Sequence, residues 1–442
     1  MKISVKNLDY DKAMALPRPK RRQPIKPNMF WRTLIRGLTM VGMAGTDFKY
    51  ETERMELLGK DEPCLILMNH SCFLDMQMVH RIMYPRAFNI IATSDSFVGL
   101  GGLMNWVMHQ IGCIPTQKFV TDLSLIQDMQ YCFKTLKTSV LMYPEASYSF
   151  DGTCTPLPRK MGVLLKKFDV PVVMIESFGA FSRNPLYNEL QVRKGVKVSA
   201  KATLLYTREE IKEKSVQELS DGLDAAFGFD HFKWQKEQGI EIHDDFRADG
   251  LSRILYKCAH CGTEGKMEGR GIHLTCGHCG KKYELTPIGE LKALEGETEF
   301  AHIPDWYAWE RDQVRQEIQN GTYKLDIDVK IGMLVDIQNI YMVGEGHLTH
   351  DENGFTLTGC DGRLNYTQKP QACYGLYADY YWYEIADVIC IGNNDVLYYC
   401  FPSDGGDVVA KTRFATEEMY KLYKTRRTRK PAKEVADATN AD

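Results

Sequence analysis

The sequence lacks several features that define common protein classes. It has no apolar run of the ~18 residues that a membrane-crossing helix needs, and the longest run near its start, Gly37 to Gly45, is much shorter. The net charge is only −3, which argues against bulk nucleic-acid binding. The first residues do not have the pattern of a signal peptide, so we expect none, and the cysteines number 13. An odd cysteine count without such a leader favours a reducing compartment over a disulfide framework.

The chain is long enough and apolar enough for more than one domain. With 442 residues, of which 44% are hydrophobic, we expect two or three domains and a sizeable core. Charge is unevenly distributed, because residues 1–40 hold ten Lys or Arg against two Asp. Residues 1–27 are basic and proline-rich, so we predict a poorly ordered arm near an anionic surface.

Residues 28–44 have the pattern of an amphipathic helix. Apolar side chains recur at helical spacing, and Arg32 and Arg36 lie four apart on another side. Phe30 and Trp31 suit the headgroup level of a membrane, and the arginines suit anionic lipid. Two interpretations remain open: a helix that lies in a membrane surface, or a helix that packs on its own domain.

Short apolar runs alternate with helix-like segments between Leu65 and Tyr206. We predict strands at residues 65–68, 87–92, 139–142, 170–175 and 201–205. Such alternation indicates an α/β domain with a largely parallel sheet. Residues 207–227 are expected to close this domain with one or two exposed helices.

The stretch NHSCFLD, residues 69–75, follows the first of these strands and opens into a helix-like segment. Residues five apart on one helix diverge by about 140°, so His70 and Asp75 do not share a face of a continuous helix. If the helix begins after His70, with Ser71 as its N-cap, Asp75 can reach back to the imidazole. This spacing predicts a base and the carboxylate that orients it.

Two CxxC pairs predict a metal site within residues 250–300. Their spacing is C-x2-C, fourteen residues, C-x2-C, with a glycine after each second cysteine, as in zinc ribbons. A redox pair needs only one such motif, and polar neighbours argue against plain buried cysteines. A site with four sulfur ligands is structural. We therefore predict a structural zinc ion bound by Cys258, Cys261, Cys276 and Cys279.

The remainder of the chain is predicted to form a linking helix, a β-rich domain and a tail. Residues 301–322 have helical character. Residues 323–427 contain about seven short strands and one closing helix, which predicts a small barrel or sandwich, similar in element order to a pleckstrin-homology domain. The tyrosines of residues 374–384 fit core pairs or a contact face for sugar, lipid or protein. Residues 428–442 have the composition of a polar tail.

Four stretches in order resemble the sequence blocks of the glycerolipid acyltransferase family, whose members acylate glycerol-3-phosphate or lysophosphatidic acid. NHSCFLD resembles the N-H-x4-D block. Residues 112–118 (GCIPTQK), 143–149 (YPEASYS) and 170–175 (VPVVMI) resemble the second, third and fourth blocks, and residues 159–162 contain the expected Lys-x-Gly. One H-x4-D occurs by chance in many chains, but four ordered blocks do not. The resemblance covers residues 28–235.

The resemblance implies an acyltransferase-type α/β domain with an N-terminal amphipathic helix, followed here by the zinc ribbon and the β-rich domain. It implies that His70 takes the proton of an acceptor hydroxyl that attacks an acyl thioester, while Asp75 fixes the tautomer. A histidine with a pKa near 6.5 suits this role, which typically contributes ~10²–10⁴-fold in rate. The implied substrate-binding residues are Lys118, Glu145, Ser147, Arg159 and Lys160.

Departures from the family blocks bear on the acceptor. Lys118 stands where the second block usually has arginine, so the cation lacks a bidentate fork. Ala146 and Tyr148 stand where the third block usually has glycine and arginine. An arginine that grips an acceptor phosphate is therefore missing, unless Arg159 or Lys160 substitutes for it. Acyl transfer remains the expected reaction, but lysophosphatidic acid becomes a weaker expectation as its acceptor.

Two other functions were weighed. A serine hydrolase is disfavoured because Ser147 has no flanking glycines. A non-catalytic protein, in which a degenerate acyltransferase fold binds lipid and recruits partners, is the main alternative; His70, Asp75 and Glu145 argue against it.

We expect O-acyl transfer from acyl-CoA or acyl carrier protein to a lysophosphatidic-acid-like or other lysolipid acceptor, without a nucleic-acid partner. The expected location is cytoplasmic and peripheral, on the inner face of an anionic membrane. The basic arm and helix 28–44 would hold the protein there.

Overall fold

The computed structural model describes residues 3–120, 122–158, 160–189, 191–403 and 408–429. Its N-terminal segment comprises a short strand and two helices: β1 (Val5–Asn7), α1 (Tyr10–Met14) and α2 (Met29–Gly42). The predicted amphipathic helix is confirmed in α2, which begins after Asn28. The Asn28 side chain accepts the Trp31 backbone N–H at 3.1 Å, as expected of an N-cap.

The N-terminal arm is not poorly ordered as predicted. β1 pairs in parallel with a strand of the C-terminal domain, with Val5 opposite Ile340. The strap, residues 15–28, then crosses the first domain, where Asn89 Nδ2 donates to the Ile25 carbonyl at 2.9 Å. The prediction was wrong because polar groups of the arm find partners on two distant parts of the chain, which composition does not reveal.

The first domain is built on a seven-stranded sheet. Its strands are β2 (Lys49–Glu53), β3 (Leu65–Met68), β4 (Phe88–Thr93), β5 (Cys113–Thr116), β6 (Ser139–Met142), β7 (Val172–Phe178) and β8 (Ser199–Tyr206). They lie in the order β2-β8-β7-β3-β6-β4-β5, and every neighbouring pair is parallel except β7 and β8. The predicted largely parallel sheet and its five strands are confirmed. β2 and β5 escaped prediction because both are short and contain polar residues or proline.

Helices cover both faces of this sheet: α3 (Asp75–Met83), α4 (Gly101–Gln110), α5 (Leu123–Tyr131), α6 (Met161–Phe168), α7 (Ala180–Arg183), α8 (Arg208–Glu213), α9 (Val216–Ala226) and α10 (His231–Glu237). The central strand β3 is fully buried. Leu65 and Leu67 belong to one apolar cluster, and Ile66 and Met68 to another. A strand that is covered on both faces needs a continuous apolar run, and this explains the composition of residues 65–68.

The predicted ribbon contains a four-stranded antiparallel sheet. Its strands are β9 (Met267–Arg270), β10 (His273–Cys276), β11 (Lys282–Leu285) and β12 (Leu291–Ala293), and they are neighbours in sequence order. The linking helix follows as α11 (Ile303–Gln319).

The C-terminal domain contains the seven predicted strands and the closing helix. They are β13 (Leu325–Leu334), β14 (Ile340–Asp351), β15 (Gly354–Gly359), β16 (Leu364–Gln368), β17 (Tyr377–Trp382), β18 (Ala386–Gly392), β19 (Leu397–Pro402) and α12 (Val409–Arg429). The strand order is β16-β15-β14-β13-β19-β18-β17, and β1 joins beside β14. The predicted β-rich domain is confirmed. Most of the predicted tail lies outside the described residues.

One buried apolar cluster passes through all of these parts. Its members come from the N-terminus, the first domain, the ribbon, α11 and the C-terminal domain, as shown by Tyr10, Phe150, Phe181, Leu274, Tyr283, Trp306, Tyr380 and Phe414. Trp306 is completely buried and its Nε1 donates to the Lys257 carbonyl at 3.0 Å. Because the cluster is shared, we expect the parts to unfold together.

Replacing Trp306 with alanine tests this shared core. The variant leaves a large cavity and an unpaired carbonyl, so we expect the free energy of unfolding to fall by about 3–5 kcal/mol. Urea denaturation followed by circular dichroism measures the loss. Gln316→Ala, at an exposed position of the same helix, is the control and should stay within about 0.5 kcal/mol of the parent. Two separate transitions in the parent protein would contradict a single cooperative core.

Candidate active site

His70 and Asp75 meet at the carboxyl end of β3, in the turn before α3. His70 Nδ1 lies 2.9 Å from Asp75 Oδ2. The same carboxylate oxygen accepts the backbone N–H groups of Ser71 and Cys72 at 2.7 and 3.1 Å. Ser71 is therefore not the N-cap that we predicted. The cap position is Leu74 and α3 begins at Asp75 itself, because the carboxylate gathers the backbone donors of the turn.

Burial controls the protonation of this pair. The His70 side chain is 18% exposed and the Asp75 side chain 1%. Burial lowers the pKa of His70, against the pull of Asp75, and raises the pKa of Asp75, against its hydrogen bonds. Because a carboxylate accepts at Nδ1, the imidazole carries its proton there and its lone pair on Nε2. The described residues place no hydrogen-bond partner on Nε2. This nitrogen is free to accept a proton.

Two tyrosine rings pack against the imidazole. The ring centroids of Tyr143 and Tyr148 lie 4.1 and 4.0 Å from that of His70. Burial raises the pKa of both phenols well above the usual value, so both stay neutral. Tyr148 occupies the position where the resembling family has arginine, and here it restrains the imidazole. Sequence reasoning missed both tyrosines, although both belong to the third block.

Glu145 lies beneath the turn, away from the open face. It is fully buried, and its two oxygens accept the backbone N–H groups of His70 and Thr155, each at 2.9 Å. Burial raises its pKa to about 7. The structure therefore places Glu145 behind His70, where both oxygens are already occupied, and not among acceptor-binding side chains as we predicted.

The residue after Glu145 has a left-handed backbone. Ala146 has φ +57°, a conformation that costs an L-residue other than glycine roughly 1–2 kcal/mol. This requirement explains why glycine is usual at this position in the family blocks. It also shows that the third block holds its shape through its surroundings, in spite of local strain.

The other predicted substrate-binding residues are dispersed. Lys118 follows β5, and its Nζ lies 4.2 Å from the centre of the Tyr377 ring of the C-terminal domain. Its charge helps to lower the pKa of His70, although burial is the larger cause. Ser147 is buried, and its hydroxyl accepts a hydrogen bond from Arg413 of α12 at 3.1 Å. Lys160 is exposed at the start of α6.

Arg159 lies outside the described residues. Arg413 was not a sequence candidate, because nothing in the local pattern of α12 links it to a block 266 residues away.

Asn69 is a further functional residue that sequence reasoning quoted but gave no role. Its Oδ1 accepts the Ser177 backbone N–H at 2.8 Å, and its Nδ2 donates to Ser71 Oγ at 3.2 Å. These bonds tie the turn that carries His70 to the end of the neighbouring strand β7. Its place directly before His70 in the N-H-x4-D block was the available signal.

The four ribbon cysteines come together as predicted. Their sulfur atoms all lie within 4.8 Å of one another, with Cys258 and Cys279 at 3.9 Å and Cys261 and Cys276 at 3.8 Å. These distances are too long for disulfides, whose sulfurs lie about 2.05 Å apart. Zn–S bonds of about 2.3 Å in a tetrahedron place sulfurs about 3.8 Å apart. The donor set and its spacing fit a four-sulfur metal site.

An apolar surface lies on α2 and α4 and extends to the turn after His70. It consists of exposed side chains of Phe30, Leu34, Leu38, Val41, Phe73, Leu103 and Trp106. Trp31 of α2 contacts Trp106 of α4 edge-on, with ring centroids 5.7 Å apart. The exposed fraction reaches 76% at Val41 and at Leu103. No helix within the described ranges is long and apolar enough to cross a membrane.

The part of the chain that contains this site is similar to known acyltransferases. The acyltransferase family model matches residues 49–176. The chain is 26% identical over 145 residues to the chloroplastic 1-acyl-sn-glycerol-3-phosphate acyltransferase BAT2 of Brassica napus, covering 32% of this chain and 41% of that protein. It is 24% identical over 155 residues to human 1-acyl-sn-glycerol-3-phosphate acyltransferase beta, covering 33% and 55% respectively. The chain thus spans about half the length of these curated relatives.

A solved structure is also similar. PlsC, the 1-acyl-sn-glycerophosphate acyltransferase from Thermotoga maritima, aligns with 44% of this chain and 76% of its own, at 15% identity and a TM-score of 0.35. The matched residues 49–176 contain the His70–Asp75 pair, Lys118 and Glu145. Residues 49–176 thus match the acyltransferase family model, and this part of the chain is similar to 1-acyl-sn-glycerol-3-phosphate acyltransferases.

Proposed function

We propose that the protein is an O-acyltransferase that moves a fatty acyl group from an acyl thioester to a hydroxyl of a lysolipid. The observation that carries this proposal is the His70–Asp75 pair, at 2.9 Å, in the turn between β3 and α3 of a family domain. The donor is acyl-CoA or acyl carrier protein. The names of the curated relatives support a lysophosphatidic-acid-like acceptor.

The reaction follows from the free Nε2 of His70. The acceptor hydroxyl gives its proton to Nε2 as its oxygen attacks the thioester carbonyl, and Asp75 stabilises the imidazolium that forms. The tetrahedral intermediate then collapses: the C–S bond breaks, and the imidazolium returns its proton to the departing thiolate. The products are the acylated acceptor and a free thiol, and His70 is neutral again.

Acceptor recognition is proposed to depend on Lys118, with Lys160 and Arg159 as further cations. Glu145 and Ser147 act from behind the site, since both are buried and hydrogen-bonded to protein groups. Because Tyr148 replaces the usual arginine, the protein accepts lysolipids without a strict need for a phosphate monoester.

We further propose that the protein is peripheral, on the inner face of a membrane. The apolar surface would enter the interface, and exposed cations of the strap, Lys20, Arg22 and Lys26, would meet anionic lipid at ~1 kcal/mol per charge. This position brings Phe73 and the mouth of the His70 site to the lipid, where a lysolipid resides.

The four-cysteine site is proposed to hold a structural zinc ion. Cys258, Cys261, Cys276 and Cys279 would supply all four ligands, leaving no open position for chemistry. The metal would secure the ribbon, which packs on Trp306 through Tyr283, with ring centroids 5.1 Å apart.

Replacement of His70 with alanine tests the reaction. Loss of the base should lower the rate of thioester consumption with a lysolipid acceptor by ~10²–10⁴-fold, while the circular dichroism spectrum stays unchanged. Asp75→Asn, which keeps the shape but removes the charge that fixes the tautomer, should also be strongly impaired. Release of thiol, followed with a chromogenic thiol reagent across a panel of lysolipids, gives both rates. An undiminished rate in His70→Ala would show that the protein does not use this mechanism.

Binding to vesicles tests the membrane proposal. The full chain should co-sediment with vesicles that contain phosphatidylglycerol, and less so as salt increases. The double variant Leu38→Glu/Val41→Glu should bind at least tenfold more weakly, because two charges replace apolar side chains that enter the interface. Leu294→Glu, at an exposed apolar position of the ribbon, should bind as the parent does. Equal binding by all three proteins would reject the apolar surface as the contact.

Metal analysis tests the zinc proposal. Atomic emission should find about one zinc per chain. Cys276→Ser, or removal of the metal by a chelator, should lower the free energy of unfolding by about 3 kcal/mol or more, because the ribbon loses its cross-link. Full stability of a metal-free protein would contradict the assignment.

A further inference from the structure

Arg413 is a charged side chain buried where the C-terminal helix meets the third block. It is 2% exposed, and its guanidinium carbon lies 4.2 Å from the centre of the Phe150 ring. Its Nε donates to Glu417 at 3.2 Å and its Nη2 to the Ser147 hydroxyl at 3.1 Å. Glu417 is in turn paired with Arg311 of α11. The ion pairs between α11 and α12 thus place the Arg413 guanidinium against the segment that follows β6.

The contact at Ser147 lies two residues from Glu145, whose carboxylate holds the His70 backbone N–H. Ala146, between them, has a strained left-handed backbone, so the position of Glu145 depends on what secures its neighbours. Ser147 is secured by Arg413. The backbone from Ser147 to Glu145 therefore connects the Arg413 hydrogen bond with the one that Glu145 accepts from the turn that carries His70.

From this arrangement we infer that Arg413 is a positioning residue of the acyl-transfer site: through Ser147 it holds the third block, and with it Glu145, in place beneath His70. The inference rests on the proposed function, and it makes the C-terminal domain a necessary part of the enzyme. Arg413 touches neither substrate nor imidazole and acts through Ser147 and Glu145.

The burial of Arg413 favours this role over a purely structural one. A buried charge is costly unless its donors are satisfied, and within the described residues Nη1 has no hydrogen-bond acceptor. A methionine of similar length would fill the space next to Phe150 without that cost. The charge also acts on its surroundings, which include the Glu145 carboxyl.

The ionised form of Glu145 accepts two N–H groups more strongly than the neutral carboxyl, one of whose oxygens carries a proton. Burial raises its pKa to about 7, and the charge of Arg413 opposes that rise. The other groups that act on Glu145 are Asp75, which raises its pKa, and the backbone donors of His70 and Thr155, which lower it. The Cys154 thiol is also adjacent.

Removal of the Arg413 charge raises the pKa of Glu145, so more of the carboxyl is protonated at pH 7. Since burial keeps the pKa of His70 below its usual value, the acid limb of activity reports on Glu145. We therefore expect the acid limb of the pH–rate profile to move to higher pH when the Arg413 charge is removed.

Three variants of the full chain separate the effect of the Arg413 charge from the effect of its hydrogen bond to Ser147. Arg413→Met removes the charge while Glu417 keeps Arg311 as its partner. Arg413→Lys retains the charge, and Ser147→Ala removes only the hydroxyl acceptor. Arg315→Met is the matched control, because Arg315 Nε also links α11 to α12, through Glu418 at 2.7 Å, without contacting the third block.

We expect Arg413→Met to lose about fivefold or more in kcat at pH 7, with KM for the thioester within about threefold and the acid limb of the pH–rate profile moved to higher pH. Arg413→Lys should keep the acid limb of the pH–rate profile where it is in the parent protein. Ser147→Ala should lose several-fold in kcat without moving the limb, since the cation remains. Arg315→Met should match the parent both in kcat and in the position of the acid limb. An unmoved limb in Arg413→Met, or an equal loss in Arg315→Met, would overturn the inference.

A second readout does not require turnover. In protein labelled at histidine Cε1, the His70 resonance, assigned by its absence in His70→Ala, should respond to the ionisation of Glu145. That inflection should move to higher pH in Arg413→Met but not in Arg315→Met. If the parent consumed no thioester with any lysolipid, the proposed function would fail, while this titration would still decide whether Arg413 controls Glu145.

Discussion

The buried carboxylate of Glu145 is the constraint on which the site depends. It joins two segments that are distant in sequence, the turn after β3 and the loop after β6, through the backbone N–H groups of His70 and Thr155. Backbone donors in a protein interior need acceptors, and a carboxylate satisfies two of them at once. Glu145 holds the backbone N–H of His70 in the protein interior. The burial of His70 lowers the pKa of its imidazole. Glu145 thus helps to hold the backbone of His70, while burial, Asp75 and Lys118 act on the imidazole pKa.

The inferred compensation for the buried Glu145 carboxyl comes from a separate domain. Arg413 reaches the third block from α12, and Glu417 and Arg311 balance its charge. The apolar cluster that includes Phe150, Trp306 and Phe414 keeps these helices in place. The contacts of Arg413 are held in place because tightly packed interiors tolerate little displacement. The ribbon and the β-rich domain therefore contribute to the environment of the site as well as to its stability.

The outer face of the same domain has the opposite character. α2 and α4 present large apolar side chains to solvent, and the edge-on contact of Trp31 and Trp106 joins the two helices. Exposed apolar patches of this kind mark contact surfaces. The strap, with its exposed cations, crosses the first domain between β1 and α2, so charge and apolar area belong to one N-terminal segment that is anchored at both ends.

The sequence by itself determined five strands of the first sheet, the pairing of His70 with Asp75, the four-cysteine cluster, and the strands and closing helix of the C-terminal domain. Each depends on local pattern: an apolar run, a five-residue spacing, two CxxC pairs, alternating residues between turns. It also located α2, because helical periodicity spans fourteen residues.

Only the tertiary structure decided which predicted residues lie at the open face of the active site and which lie buried behind it. Glu145 and Ser147 lie in the right block but point into the interior. Tyr148 packs on the imidazole, and Arg413 arrives from 266 residues away. The basic arm gained order through strand pairing with β14. These outcomes depend on contacts between segments far apart in sequence, and local periodicity carries no information about which distant side chain will occupy a given space.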